Sequence, residues 1–145
     1  MKRFLFPLDR VRRWRAGQAA LEELKLEQLR DSLIQLVEEK RKIEAERTSS
    51  EREVLGQPKI EATELQSLDA YQLHSRDKIR ITEDRERQVQ AQMEQQRQRV
   101  MEARRNAELL ERLKQKAFDA WRKAGDREQE GLATELFLAK RVRKR

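Results

Sequence analysis

Cysteine is absent from this chain, and glycine, proline and aromatic residues are scarce. The 145 residues include four Gly, two Pro, seven aromatic side chains and one histidine. Without Cys there is no disulfide or thiol nucleophile, and a single His cannot build the usual metal sites. We expect His74 to be a solvated helix residue. The sequence also lacks a GxxxxGK[ST] phosphate loop and a GxSxG elbow, so it predicts a non-enzymatic protein with no catalytic residues, no metal and no cofactor.

Long apolar runs are missing as well. The start, MKRFLFPLDRVRR, is basic like a signal peptide, but its apolar run from Phe4 to Leu8 stops at Asp9. No stretch approaches the roughly 20 apolar residues of a membrane span. We therefore expect a soluble, cytoplasmic protein without membrane insertion.

Charge is what the chain has in abundance. Charged residues make up 42% of the sequence and apolar residues 37%, which is typical of long helices and coiled coils rather than of a compact globule. Disorder is the rival interpretation of such a composition. The net charge is +7, and the basic residues concentrate at the two ends of the chain.

Apolar periodicity favours helices over disorder. The first half shows steps of three and four, the heptad signature, through Leu8, Val11, Trp14, Leu21 and Leu24, and then, after a shift, through Leu26, Leu29, Leu33, Leu36, Lys40 and Ile43. In the second half the alternation is strict from Ser75: Ile79, Thr82, Glu86, Val89, Met93, Gln96, Val100, Ala103, Ala107, Leu110, Lys114, Ala117, Trp121 and Ala124.

The pattern lapses once, in the stretch VLGQPKI at residues 54–60. Gly56 can adopt a left-handed conformation at a helix end, and Pro58 cannot continue a helix. The sequence therefore predicts one all-α domain over residues 1–145, an antiparallel coiled-coil hairpin. Its first helix covers about 7–54, its turn about 55–59 and its second helix about 60–140, followed by a frayed basic tail at 141–145. A continuous helix that dimerises in parallel is the competing architecture.

The arms of this hairpin are unequal. With the turn centred on Gln57, residue i faces roughly residue 114 − i, so that Leu33 meets the Ile81–Thr82 region and Leu8 faces Asn106. The remainder of the second helix would overhang without a partner for about 45 Å. Apolar residues continue in it, and such a bare stripe usually marks an interaction site: Leu110, Leu113, Ala117, Phe118, Trp121, Leu132, Leu136 and Phe137.

Two other functions of the apolar stripe and of the basic segments stay open. The same stripe could mediate self-association as a generic structural coiled coil. The basic segments RVRRWR and KRVRKR could bind nucleic acid, but Val11 and Trp14 are better explained as seam positions, so we expect no nucleic-acid partner.

Three segments together resemble the FliJ family of flagellar export proteins: FLFPLDRVRRWRAGQ, LDAYQLHSRDKI and LLERLKQKAFDAWRKAGDREQEGLATELFLAKR. The resemblance covers nearly the whole chain, and the order LLERL…W…REQE…E is its most specific part. Members of this family are antiparallel two-helix coiled coils similar to the stalk subunit of rotary ATPases. They insert into the hexameric ring of the export ATPase FliI, contact the export gate protein FlhA and handle export chaperones.

Carried onto this sequence, the resemblance implies two binding surfaces at the cytoplasmic face of the flagellar export apparatus. The ring-facing surface comprises Arg10, Arg13, Trp14, Phe118, Trp121, Arg122 and Arg127. The gate-facing surface comprises Tyr71, Ser75 and Ile79, although Ser75 is polar where an apolar residue would suit a docking patch.

Overall fold

The computed structural model describes residues 2–145, and this part of the chain is an all-α, two-helix hairpin without strands. Helix α1 spans Asp9–Leu55 and helix α2 spans Ala62–Arg143, with 47 and 82 residues respectively. The two helices pack against each other, which confirms the predicted fold class. Their bounds lie within a few residues of the predicted ones, but α2 stays helical to Arg143, where the sequence predicts fraying from 141.

The turn occupies residues 56–61 and ends α1 without a left-handed residue. No residue in 2–145 has a positive φ, so the expectation of a left-handed Gly56 is wrong. The Gly56 amide instead donates a hydrogen bond to the Arg52 carbonyl at 3.0 Å. A Cβ at Gly56 would lie 2.8 Å from that same oxygen. Glycine is therefore required here by a close backbone approach.

Helix α1 packs one continuous stripe of side chains against α2, without the change of seam predicted before Leu26. Leu8, Val11, Trp14, Leu21 and Leu24 are 43–55% exposed, so the predicted seam before Leu26 is wrong. An uninterrupted helix in heptad contact keeps one face on its partner, and the register set by the leucines therefore continues toward the N-terminus through polar residues. The buried or half-buried positions of α1 are Asp9, Arg12, Arg15, Gln18, Ala19, Glu22, Leu26, Leu29, Leu33, Leu36, Lys40, Ile43, Arg47, Ser50 and Val54.

The stripe of α2 follows the sequence pattern closely. Every predicted position from Ile79 to Trp121 is buried or half-buried, and only Ala124 at the end of the series is exposed. Two of its polar members bond to backbone carbonyls, whereas the buried Glu86 Oε1 has no hydrogen-bond partner within residues 2–145. Thr82 Oγ1 donates to the Lys78 carbonyl at 2.9 Å, and Gln96 Nε2 donates to the Glu22 carbonyl at 2.9 Å.

The chain divides into two compact units, and each contains part of both helices. The tip unit comprises residues 21–100, and its core is formed by Leu26, Met93 and Val100, with Leu29, Leu33 and Val89 packed against them. The terminal unit comprises residues 2–20 with residues 101–145, and its buried apolar side chains are Ala19 and Leu110.

The register of the tip unit differs from the predicted pairing. Lys40, which the 114 − i rule places opposite His74, forms an ion pair at 3.4 Å with Glu83, nine residues further along α2. Val54 and Leu68 line one cleft, so the chain folds back near Glu61 rather than Gln57. The expected pairing of Leu33 with Ile81–Thr82 is therefore wrong, because the turn and the first residues of α2 are used to cross the end of α1.

The close approach at the turn gives a stability prediction. Gly56→Ala should lower the free energy of unfolding by about 1–3 kcal/mol, because its methyl group would press on the Arg52 carbonyl. Urea unfolding followed by circular dichroism at 222 nm measures this change.

Gly17→Ala is the matched control. A Cβ at Gly17 has nothing within 4 Å, and alanine in a helix interior should raise stability by about 0.5–1 kcal/mol. Equal effects of the two substitutions would contradict the assigned role of Gly56.

Candidate interaction surfaces

The seven residues before α1, Lys2–Leu8, lie against α2 in the terminal unit, and we call them the N-terminal strap. The Phe4 ring packs edge-to-face on Phe118, with centroids 5.3 Å apart, and lies 5.7 Å from the Trp121 ring. Trp121 Nε1 donates a hydrogen bond to the Lys2 carbonyl at 3.0 Å. Each aromatic pair is worth about 0.5–1.5 kcal/mol beyond the area it buries. These contacts define a packed aromatic cluster of Phe4, Phe118 and Trp121.

The strap corrects the expected start of the overhang. The sequence predicts that α2 lacks a partner beyond Asn106, yet Leu110 is buried and Trp121 is half-buried. Two features cover this stretch: the start of α1 reaches further along α2 than the 114 − i rule allows, and the strap continues past it. The sequence does not predict the contact between the strap and α2, because no local pattern indicates a contact between residues more than a hundred positions apart.

An ionic cluster holds the start of α1 on α2. Asp9 Oδ1 accepts from Arg12 Nε at 2.9 Å and pairs with Lys114 Nζ at 3.5 Å, while Asp9 Oδ2 pairs with Arg13 at 2.7 Å. Arg12 also reaches Glu111 Oε1 at 2.7 Å. Asp9 further suits the positive N-terminal end of a helix. The hydrogen bond from Arg13, followed by that from Arg12, lowers the pKa of Asp9 to about 2.

The cationic members of the predicted ring-facing surface lie in different surroundings. Arg10, Arg122 and Arg127 are exposed, whereas Arg13 is bonded to Asp9. The hydrogen bonds that the neighbouring Arg12 donates to Glu111 and Asp9 raise its pKa. Three guanidinium groups of the set are thus directly available to a partner, and that of Arg13 is engaged in the ionic cluster.

The aromatic members of that surface do not form one patch. Trp14 is 55% exposed and carries the Arg15 guanidinium 4.8 Å above its ring. Within residues 2–145 it makes no ring contact with Phe118 or Trp121, which pack with Phe4 instead. The structure brings Phe118 and Trp121 together and leaves Trp14 apart.

The last twenty residues form the most exposed apolar segment of the terminal unit. Every residue from 126 to 145 is exposed, and the helix continues through Gly131. We call residues 126–145 the C-terminal segment. More than half of the surface of each of its large apolar side chains is accessible: Leu132, Leu136, Phe137, Leu138 and Val142. This end of the predicted bare stripe lacks cover within the described residues.

The predicted gate-facing residues lie in the tip unit and are only partly accessible. Tyr71 and Ile79 are half-buried, and Ser75 is 2% exposed. A partner could not touch Ser75 without separating the helices. Leu73 and Ile81, which neighbour this set, are 55% and 47% exposed and offer the accessible apolar surface that Ser75 does not.

A cleft of about 410 Å³ lies beside Tyr71 at the fold-back. Val54 and Leu68 contribute apolar walls, and Glu53 and Glu64 contribute carboxylates. No local motif in the sequence predicts this cleft, because it arises from the register of the two helices.

No protein-family model, curated protein or solved structure matches this chain. Within residues 2–145, no three His, Cys, Asp or Glu side chains are grouped so that they could hold a metal ion. Neither helix in that range contains a stretch apolar and long enough for a membrane span. The resemblance to the FliJ family thus stays a prediction from the sequence.

The lowered pKa of Asp9 gives a pH prediction. A depressed pKa stabilises the folded state above the unfolded value, and this contribution is lost as pH falls. Wild type should exceed Asp9→Asn in urea midpoint at pH 7, and the difference should shrink between about pH 4 and pH 2.

Asp126→Asn is the control for this titration, because Asp126 is exposed and has no ion pair in the described structure. Its midpoint should follow wild type at every pH. An Asp9→Asn deficit that persists unchanged to pH 2 would rule out the ionic cluster as its cause.

Proposed function

We propose that this protein is a non-enzymatic adaptor whose C-terminal segment docks into a larger partner assembly. One observation supports the proposal: residues 126–145 are all exposed, and they remain helical to Arg143 while presenting large apolar side chains. Long isolated helices gain most of their stability by burying an apolar face. A partner that covers this segment would supply that burial.

The charges of the C-terminal segment indicate which groups the partner surface should carry. Lys140, Arg141 and Arg143 lie in the last turn of α2, where cations suit the negative end of the helix dipole. Burying a large apolar side chain contributes about 1.5–3 kcal/mol, so five would contribute roughly 7–15 kcal/mol before an association cost of a similar size. Apolar burial alone is therefore marginal, and acidic groups on the partner would favour stable docking.

The resemblance to the FliJ family makes the proposal more specific. In this form the protein is a stalk of the flagellar type III export apparatus. It enters the hexameric ring of a FliI-like export ATPase and promotes ring assembly. It also contacts a FlhA-like gate and export chaperones, and works at the cytoplasmic face of the membrane in flagellum biogenesis and motility. The packing of two long helices and the exposed cationic end of α2 support this proposal.

Self-association is the second candidate function, and the same exposed side chains favour it. Two copies could cover each other's C-terminal segments as a structural coiled coil. Sedimentation over a concentration series separates the candidates. A monomer at micromolar concentration leaves the segment free for a different partner, whereas a stable dimer favours the structural function.

Charge placed on the exposed stripe tests the docking proposal. Leu136→Glu with Phe137→Glu should reduce stimulation of the cognate export ATPase at least tenfold, because both side chains are more than 60% exposed and would lose apolar burial in the ring. The ATPase rate and the hexamer fraction are measured with each variant.

Ile34→Glu is the matched control, because Ile34 is 66% exposed but lies on α1 in the tip unit. It should stimulate the ATPase as wild type does, and all variants should keep the same helicity. Undiminished stimulation by the double variant would remove the C-terminal segment from the proposed interface.

A further inference from the structure

The N-terminal strap is held by aromatic packing and one side-chain hydrogen bond, without an ion pair. Phe4 supplies the ring contacts, and the Lys2 carbonyl accepts from Trp121. The side chains of Lys2 and Arg3 form no ion pair in the described structure. Leu5 is 79% exposed. The strap therefore interacts through its rings and its backbone and leaves its charges unused.

The stretch of α2 that contacts the strap is rich in cations. Asp119 is the one acid between residues 112 and 125, and this range contains five Lys or Arg residues, of which Arg112 pairs with Glu108 and Lys114 with Asp9. Arg122 follows Trp121 directly and lies one helical turn after Phe118, and Lys123 comes next. Neither cation has an ion-pair partner in the described structure. The strap thus brings two cationic side chains to a stretch of α2 that contains more Lys and Arg than acids, and neither gains an ion pair there within residues 2–145.

We propose that Phe118 and Trp121 form a binding site for an acidic, phenylalanine-bearing segment of a partner protein, and that the strap is a removable cover of this site. The occupant keeps the ring contacts that Phe4 makes and adds an ion pair with Arg122, which the strap's Lys2 and Arg3 cannot make. This inference deepens the proposed function by naming the chemistry of the partner segment, and it rests on that function for its biological setting.

The strap can leave without unfolding α1. Pro7 has no amide hydrogen to lose. The two strap carbonyls that are bonded to the backbone accept locally, Phe6 from the Asp9 amide at 3.1 Å and Leu8 from the Arg12 amide at 2.9 Å. Asp9 and Arg12 hold the start of α1 on Lys114 and Glu111. Release of the strap therefore breaks the aromatic packing and the Trp121 hydrogen bond while the ionic cluster stays intact.

Full-length Phe4→Ala protein tests the site with two fluorescent heptapeptides. One has the strap sequence KRFLFPL, and the other is EEFLFPL. We expect Phe4→Ala to bind the acidic peptide at least tenfold more tightly than it binds the basic one, and at least tenfold more tightly than wild type binds the acidic one. Fluorescence anisotropy at low and high salt measures these affinities.

Two further variants assign the site. Trp121→Ala added to Phe4→Ala should abolish binding of both peptides, and Arg122→Glu with Lys123→Glu should remove the preference for the acidic one. Acrylamide quenching of Trp121 in a Trp14→Phe background should increase on Phe4→Ala, which shows that the cover has opened. Trp14→Phe with wild-type Phe4 is the reference.

The proposal is overturned if Phe4→Ala binds no acidic peptide at about 1 mM, if binding persists without Trp121, or if quenching does not increase. None of these measurements uses the ATPase. Peptide binding without any effect of the protein on the ATPase would refute the export function alone, whereas ATPase stimulation without peptide binding would refute the covered site alone.

Discussion

The packing of one continuous heptad stripe on each helix is the constraint on which the rest of the structure depends. Its apolar core is thin: in the tip unit it consists of Leu26, Met93 and Val100 with a few half-buried neighbours. Hydrogen bonding of the polar side chains inside the stripe therefore matters, since a buried unpaired polar group costs about 1–3 kcal/mol. Gln96 shows how this is done, because it bonds to the Glu22 backbone across the helix pair.

Helix positions and the inward face of α2 are predictable from the sequence, because strict alternation of three and four leaves one face available. The start of α1 is not predictable in this way. Leucine and tryptophan at Leu8, Trp14 and Leu21 suggest a seam, yet continuity of the helix turns the polar Arg12, Arg15 and Glu22 inward instead. The geometry of the helix pair, rather than the hydrophobicity of single residues, therefore determines which side chains of α1 face α2.

The candidate site shows the same limit. The exposure of the C-terminal segment is predictable, because the sequence shows that the second helix is much longer than the first. The contact between the strap and α2 is not predictable, because Phe4 and Trp121 meet only through tertiary packing. The register at the fold-back depends on how many residues of the turn and of α2 are used to cross the end of α1. Composition does not encode that number, and the cleft beside Tyr71 depends on it.

Carbodiimide cross-linking of Lys40 to Glu83 tests the hairpin and its register, because their side chains lie 3.4 Å apart and are partly accessible. Equal amounts of unlabelled and ¹⁵N-labelled protein are mixed before cross-linking, and linked peptides are identified by mass spectrometry. A hairpin with this register gives a Lys40–Glu83 link within single chains, with light joined to light and heavy to heavy. Links found mainly between light and heavy chains, or from Lys40 to acids near His74, would contradict the hairpin and its register.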